Sequence, residues 1–131
     1  MSAVGSGEPR RVDELGVKAP PAFAIEAEVV DGAFALRLEG ELDYASANQV
    51  RGYVEGAAGR PLVIDLAGVT FLDSSMLREL LRALTERADR GDRLVLAAVP
   101  RPVRRLLELT GTAALFETAP TRADALARVR G

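Results

Sequence analysis

Apolar and polar residues alternate with period two at the start of the patterned part of the chain, in residues 23–28 and again in residues 33–39. This alternation is typical of half-buried β-strands. Asp31-Gly32 lies between the two stretches and favours the tight turn of a β-hairpin. The pattern therefore predicts two antiparallel strands, and we expect the second to end at Gly40.

Helical and strand-like patterns alternate in the rest of the chain. Residues 44–58 place apolar side chains on one helical face, and residues 62–66 form an apolar run typical of a buried strand. Asp43 precedes this helix, where its carboxylate can accept a hydrogen bond from a free backbone amide. We expect a loop through Gly68 to lead from the strand to the next helix.

The most regular helical pattern follows that loop. Its apolar positions recur at intervals of three and four residues, and we expect them to face the core: Leu77, Leu80, Leu81, Leu84 and Ala88. Residues 93–98 predict another strand, and Pro100 or Pro102 can open the helix after it. A short edge strand is expected at Leu115-Phe116 and a last helix at residues 122–129.

The order of the predicted elements indicates an α/β fold. Because helices that alternate with strands favour parallel pairing, we predict one domain at residues 22–131. It has a mixed, mostly parallel sheet of four or five strands and about four helices.

Residues 1–21 contain Gly, Ser, Pro and mixed charges without an apolar period. This composition predicts a disordered tail, and a short partner-binding arm is the alternative.

Composition excludes several classes of function. The 131 residues include no histidine and no cysteine, which removes imidazole bases, thiol nucleophiles and zinc–thiolate sites. The formal net charge of −2 differs from the basic footprint of a dedicated nucleic-acid binder, and no apolar stretch is long enough to span a membrane. We therefore expect a cytoplasmic protein that is not an enzyme, needs no cofactor and binds neither nucleic acid nor membrane.

Polar side chains gather at three predicted strand-to-helix turns. The turns carry Asp43-Tyr44, Asp73-Ser74-Ser75-Met76 and Arg101. Functional groups in open α/β sheets collect beyond the carboxyl ends of the parallel strands. We therefore expect the three turns to share one edge of the sheet.

Asp73-Ser74-Ser75 has two interpretations. Asp and Ser are favoured helix caps, so one of the three can serve only to accept a hydrogen bond from a free amide. Alternatively, a serine hydroxyl in the first helical turn can carry a phosphate, which the free amides and the helix dipole favour. A phosphoserine adds about −1.5 to −2 charge and can break a protein–protein contact without unfolding the domain.

Other charged residues give weaker hypotheses. Asp43 and Asp73 can form an acid pair or a Mg²⁺ site, but two separate helix caps explain them better because no third ligand is evident. Arg101, Arg104 and Arg105 can meet an acidic partner, although a run of charges on a helix is usually a solvated face.

Two segments resemble the STAS domain family, and within it the bacterial anti-sigma factor antagonists. They are residues 38–43, Leu-Glu-Gly-Glu-Leu-Asp, and residues 63–75, Val-Ile-Asp-Leu-Ala-Gly-Val-Thr-Phe-Leu-Asp-Ser-Ser. The resemblance covers residues 23–129 and implies a single STAS domain.

The resemblance implies a partner-switching regulator. In such families the unmodified antagonist binds an anti-sigma factor that is also a serine kinase, and this frees a sigma factor for transcription. The kinase then phosphorylates the serine that matches Ser75, with Ser74 as the alternate, and the antagonist dissociates until a PP2C-type phosphatase restores it. The expected partner-binding residues are Asp43, Tyr44, Asp73, Ser74, Met76 and Arg101.

Met76 departs from the family pattern, which usually has glycine after the phosphorylated serine. Glycine lets the backbone of a partner approach, whereas methionine adds bulk and a soft apolar contact.

Two further functions stay open. One is an accessory STAS subunit of a lipid-transport ATPase or a sensory scaffold without phosphoserine switching. The other is a binder of a small ligand or nucleotide, for which the sequence has no phosphate-binding loop.

Overall fold

A computed structural model describes residues 23–130 of the chain. Its elements are β1 (Phe23–Val30), β2 (Ala33–Leu42), α1 (Tyr44–Gly56), β3 (Leu62–Leu72), α2 (Ser74–Asp89), β4 (Leu94–Ala97), α3 (Arg101–Leu109), β5 (Glu117–Ala119) and α4 (Arg122–Arg130). The α/β class and the predicted order of elements are confirmed. The predicted tail at residues 1–21 and the two ends of the predicted domain, residues 22 and 131, lie outside the described residues.

The five strands form one sheet in the order β1-β2-β3-β4-β5. β1 and β2 pair antiparallel, and the remaining neighbours pair parallel. Asp31 and Gly32 join β1 to β2 with positive φ angles of 50° and 86°. Both positive values are typical of the predicted hairpin turn, which is confirmed.

Two glycines that were expected to interrupt strands lie inside them. β2 passes through Gly40 to Leu42, and β3 passes through Gly68 to Leu72. The register between these strands shifts twice, near Gly68 and after Gly40. Each glycine therefore accompanies a β-bulge rather than a strand end, and the predicted loop through Gly68 is wrong.

The two faces of the sheet carry side chains of different size. Leucines and isoleucines of β2, β3 and β4 point to the face covered by α1, α2 and α3. Alanines and valines such as Ala35, Val63 and Val95 point to the other face, where α4 packs with Ala125 and Leu126. The small residues let α4 lie close to the sheet, and the larger ones fill the main core.

α2 faces the core with a slightly different surface from the one predicted. Leu77 and Leu80 are buried as expected, but Leu81 is only half-buried and Ala88 is exposed. The buried stripe continues through Ala83 and Arg87 instead. The prediction was wrong at its end because the last buried position of the helix is an arginine and not an apolar residue.

The edge strand β5 begins later than predicted. Ala113–Leu115 forms one turn of 3-10 helix, Phe116 follows it with its side chain in the core, and the strand is Glu117–Ala119. The extra turn follows Gly111, whose φ of 72° ends α3.

Within residues 23–130, no helix combines the length and the apolar character that a membrane crossing requires.

Candidate functional site

The turns after β2 and β3 lie side by side at one edge of the sheet. Leu42 and Leu72 are paired at the ends of these two strands. The backbone amide of Asp73 also donates a hydrogen bond of 3.0 Å to the carbonyl of Leu42. The first residues of α1 and α2 therefore start next to each other, as the sequence predicts.

Asp43 holds the first turn of α1. Its carboxylate accepts a hydrogen bond from the amide of Ser46 at 3.2 Å, and the Ser46 hydroxyl oxygen accepts one from the amide of Asp43 at 2.6 Å. This reciprocal capping box satisfies two amides that a helix start would leave free. The predicted capping role of Asp43 is confirmed.

Asp73 caps α2, and the two serines after it belong to the first helical turn. The carboxylate of Asp73 accepts from the amide of Met76 at 3.1 Å. Ser74 is exposed and Ser75 is half-buried. Among residues 23–130, neither serine hydroxyl has a hydrogen-bond partner. The cap is therefore Asp73 and not Ser74 or Ser75, the other two candidates, and both hydroxyls are available for other chemistry.

Replacing the cap tests how far α2 depends on it. We expect Asp73→Ala to lower the free energy of unfolding by about 1 kcal/mol, because the Met76 amide loses its acceptor. Asp73→Asn keeps an acceptor oxygen at the same place and should cost clearly less. Chemical denaturation measures both variants, and an equal loss in the two would contradict a role of the carboxylate as an N-cap.

A groove of about 300 Å³ lies between α1 and α2 beside this edge. Its walls include Tyr44, Asn48 and Arg51 from α1 and Ser75, Arg78 and Arg82 from α2. We call it the α1–α2 groove. Tyr44 is 69% exposed at one end of it, although an aromatic ring gains more from burial. Tyr44 and Ser75 thus share one open surface.

The arginines of the α1–α2 groove differ in their partners. Arg51 pairs with Glu55 at 3.1 Å, and Arg82 pairs with the buried carboxylate of Glu79 through two hydrogen bonds of 2.9 and 2.6 Å. The hydrogen bonding with Glu79 raises the pKa of Arg82. Arg78 is exposed and has no ion-pair partner within the part of the chain that the structure describes. The groove therefore contains one positively charged side chain that is not neutralised there.

Met76 does not lie on this surface. Its side chain is fully buried in the main core together with Leu77 and Leu80. Met76 is the third residue of α2 and lies on the same helical face as the buried Leu80 and Ala83, four and seven residues later. The expected contact of Met76 with a partner is therefore corrected: the residue packs the helix against the sheet.

Arg101 starts α3 at a different level of the sheet. β4 ends at Ala97, which pairs with Asp65, whereas β3 continues from there to Leu72. All three turns follow the carboxyl ends of parallel strands, but the third leaves the sheet at a lower level than the two that carry Asp43 and Asp73. The sequence does not reveal how far β3 runs past β4.

The two aspartates are separate caps in the structure. Each carboxylate accepts from an amide of its own helix, namely Ser46 for Asp43 and Met76 for Asp73. No group of three or more carboxylate, histidine or cysteine side chains suited to a metal ion occurs in residues 23–130. Nothing in this geometry supports the alternative of a Mg²⁺ site.

Comparison with known proteins identifies the fold. A family model described as the STAS domain matches residues 24–125. The chain belongs to the STAS domain family. This confirms the resemblance drawn from residues 38–43 and 63–75.

Two named relatives of this STAS domain are anti-sigma factor antagonists. The anti-sigma F factor antagonist of Paenibacillus polymyxa is 33% identical over 100 residues, which cover 73% of this chain and 83% of that protein. The crystal structure of an anti-sigma factor antagonist from Mycobacterium paratuberculosis superposes with a TM-score of 0.75 at 32% identity, covering 86% of this chain and 98% of that one.

A third relative is known in two states. The antagonist SpoIIAA in its unphosphorylated form has a TM-score of 0.72 at 27% identity, covering 82% of this chain and 96% of its own. The phosphorylated form of SpoIIAA, from Bacillus, has a TM-score of 0.66 at 25% identity, covering 81% of this chain and 99% of its own.

Proposed function

We propose that this STAS domain is an anti-sigma factor antagonist controlled by phosphorylation of Ser75. It binds an anti-sigma factor that is also a serine kinase, and the sigma factor held by that kinase is released for transcription. The protein catalyses no reaction itself and acts in the cytoplasm, with a PP2C-type phosphatase as its second partner. The named relatives support the antagonist role, and a phosphorylated relative supports the switch.

The position of Ser75 is the observation that carries the proposal. Its hydroxyl has no hydrogen-bond partner within residues 23–130, it is half-buried, and it lines the α1–α2 groove together with Tyr44. Asp73 already supplies the helix cap, so Ser75 is not needed for that role. A partner that covers Tyr44 and the start of α2 therefore covers Ser75 as well.

Ser75 can accept a phosphate without loss of the fold. The kinase would transfer the γ-phosphoryl group of ATP to the Ser75 Oγ, with ADP as the leaving group and loss of the hydroxyl proton. Ser75 is the second residue of α2, where the positive end of the helix dipole favours added negative charge. Hydrolysis of the phosphate ester by the phosphatase returns the hydroxyl and releases inorganic phosphate.

The same phosphate opposes binding of the partner. A phosphoserine brings about −1.5 to −2 charge at neutral pH, and this charge must lose its water when the partner covers it. Tyr44, which lines the same groove, carries no positive charge to offset that loss. Phosphorylation is therefore expected to weaken the complex while leaving the domain folded.

Substitution of Ser75 tests this switch. We expect Ser75→Ala to bind the anti-sigma partner and not to be released on addition of ATP. We expect Ser75→Asp to bind at least tenfold more weakly, which corresponds to about 1.4 kcal/mol. The partner is captured from a lysate of the source organism with the Ser75→Ala variant and is then purified. Isothermal titration of each variant against this partner measures the difference in affinity.

Ser74→Asp is the matched control for charge. It introduces the same carboxylate one residue earlier, at a position in the first turn that is exposed. This variant should weaken binding less than Ser75→Asp. Equal affinity of Ser75→Asp and the wild type, or a larger loss with Ser74→Asp, would contradict the assignment of Ser75.

A further inference from the structure

Arg78 and Ser75 are neighbours on α2. They are three residues apart and line the same groove, and Cβ atoms at this spacing lie about 5–6 Å apart. Side chains of a helix lean toward its N-terminus. The exposed side chain of Arg78 therefore extends over the turn that contains Ser75.

The other arginines of the α1–α2 groove already have partners. Arg51 is held by Glu55, and Arg82 is held by the buried Glu79 with a hydrogen bond to each carboxylate oxygen. Arg78 has no carboxylate within 4.0 Å among the residues that the structure describes. A phosphate on Ser75 can thus bind Arg78 without breaking an existing ion pair, which is not true of Arg51 or Arg82.

The capping residue increases the need for such a partner. Asp73 occupies the Met76 amide at 3.1 Å, so this amide of the first turn is not available to a phosphate. The carboxylate of Asp73 also lies two residues from Ser75 and repels a second anion. A guanidinium offers two parallel N–H donors that match the oxygens of a phosphate.

We propose that Arg78 binds the phosphate of phosphoserine 75 and holds the modified side chain on α2. This deepens the proposed function, because it rests on Ser75 being the modified residue. Arg78 acts only in the phosphorylated state. It favours the dianionic form of the phosphate and fixes its position at the mouth of the α1–α2 groove.

The titration of the phosphate tests the contact directly. The full-length protein is produced with phosphoserine incorporated at position 75 during synthesis, so that neither the kinase nor the anti-sigma partner is needed. The ³¹P NMR chemical shift is followed from pH 4.5 to pH 8 to give the second pKa of the phosphate, which is about 6 in the absence of a partner. Arg78→Gln is compared with Arg104→Gln, an exposed arginine on α3.

We expect Arg78→Gln to raise the second pKa of phosphoserine 75 by roughly 0.5, because the nearby positive charge that favours the dianion is removed. Arg78→Lys should keep most of the wild-type value, and Arg104→Gln should leave it unchanged. If the partner proves not to phosphorylate Ser75, the proposed switch fails while this titration still reports on Arg78. A wild-type pKa in Arg78→Gln, or an equal rise in Arg104→Gln, would overturn the proposal.

Discussion

Arg87→Met is expected to lower the free energy of unfolding by about 3 kcal/mol, measured by urea denaturation. The Arg87 side chain is fully buried and donates hydrogen bonds to the carbonyls of Val54 at 3.2 Å, Ala57 at 3.0 Å and Arg60 at 2.8 Å. Methionine has a similar length but no donor. Each of the three lost hydrogen bonds costs about 1 kcal/mol, which gives the expected total.

Arg87 matters because α1 has no basic residue in its own last turn. The guanidinium of Arg87, which belongs to α2, meets the negative end of the α1 dipole and the last carbonyls of that helix. Glu86 balances its charge. Burial raises the pKa of Glu86, but hydrogen bonds from Arg87 and Arg90 outweigh this effect, so that the pKa is lowered and the carboxylate stays ionised at neutral pH.

Arg90→Met is the matched control for Arg87→Met. Arg90 is the C-cap residue of the same helix and also pairs with Glu86, but its side chain is exposed. Exposed ion pairs contribute about 0–1 kcal/mol, so this variant should remain close to the wild type. Equal losses in the two variants would contradict the role of Arg87 as a link between α1 and α2.

Leu80→Ala is expected to cost about 2–5 kcal/mol, the range for removal of a buried leucine side chain. Leu80 is fully buried in the main core, whereas the neighbouring Leu81 is half-buried and packs only against its border. Leu81→Ala should therefore cost at least about 1 kcal/mol less than Leu80→Ala. Thermal or chemical unfolding of both variants tests the orientation of α2, and a larger loss for Leu81→Ala would mean that the helix is turned the other way.

Local sequence patterns were sufficient for much of this fold. Alternation and the Asp31-Gly32 turn predicted the hairpin, and the position of Asp43 before its helix predicted its cap, whereas Asp73, Ser74 and Ser75 all remained candidates for the second cap. These features depend on residues only a few positions apart. The order of helices and strands then led to the correct α/β arrangement.

Features that depend on distant residues could not be read in the same way. Gly40 and Gly68 look like strand ends, and only the pairing of β2 with β3 shows that they accompany bulges. Arg87 looks like a solvated arginine because its carbonyl partners lie 27 to 33 residues earlier in the chain. Burial of such a residue follows from the packing of α1 against α2, which no local pattern encodes.

The candidate site was predicted only in part, again because some of its features depend on residues that are distant in the sequence. Ser75 is singled out by the resemblance of residues 63–75 to the STAS family, and its proximity to Asp43 follows from the sheet topology. The burial of Met76 depends on the orientation of α2, and the level at which the turn with Arg101 leaves the sheet depends on the length of β3 relative to β4. Arg78, which we propose to bind the phosphate, was not among the candidates from the sequence, although its spacing of three residues from Ser75 is a signal that the sequence contains.

One measurement tests the central claim, that Ser75 is the switch, most directly. The protein is incubated with its anti-sigma partner and ATP, the intact mass is recorded, and fragmentation locates the phosphate while size-exclusion chromatography follows the complex. We expect a single phosphate on Ser75 and loss of the complex as it accumulates, with neither change in Ser75→Ala. Phosphate found only on Ser74, or no phosphate with a partner whose kinase activity is established, would contradict the account.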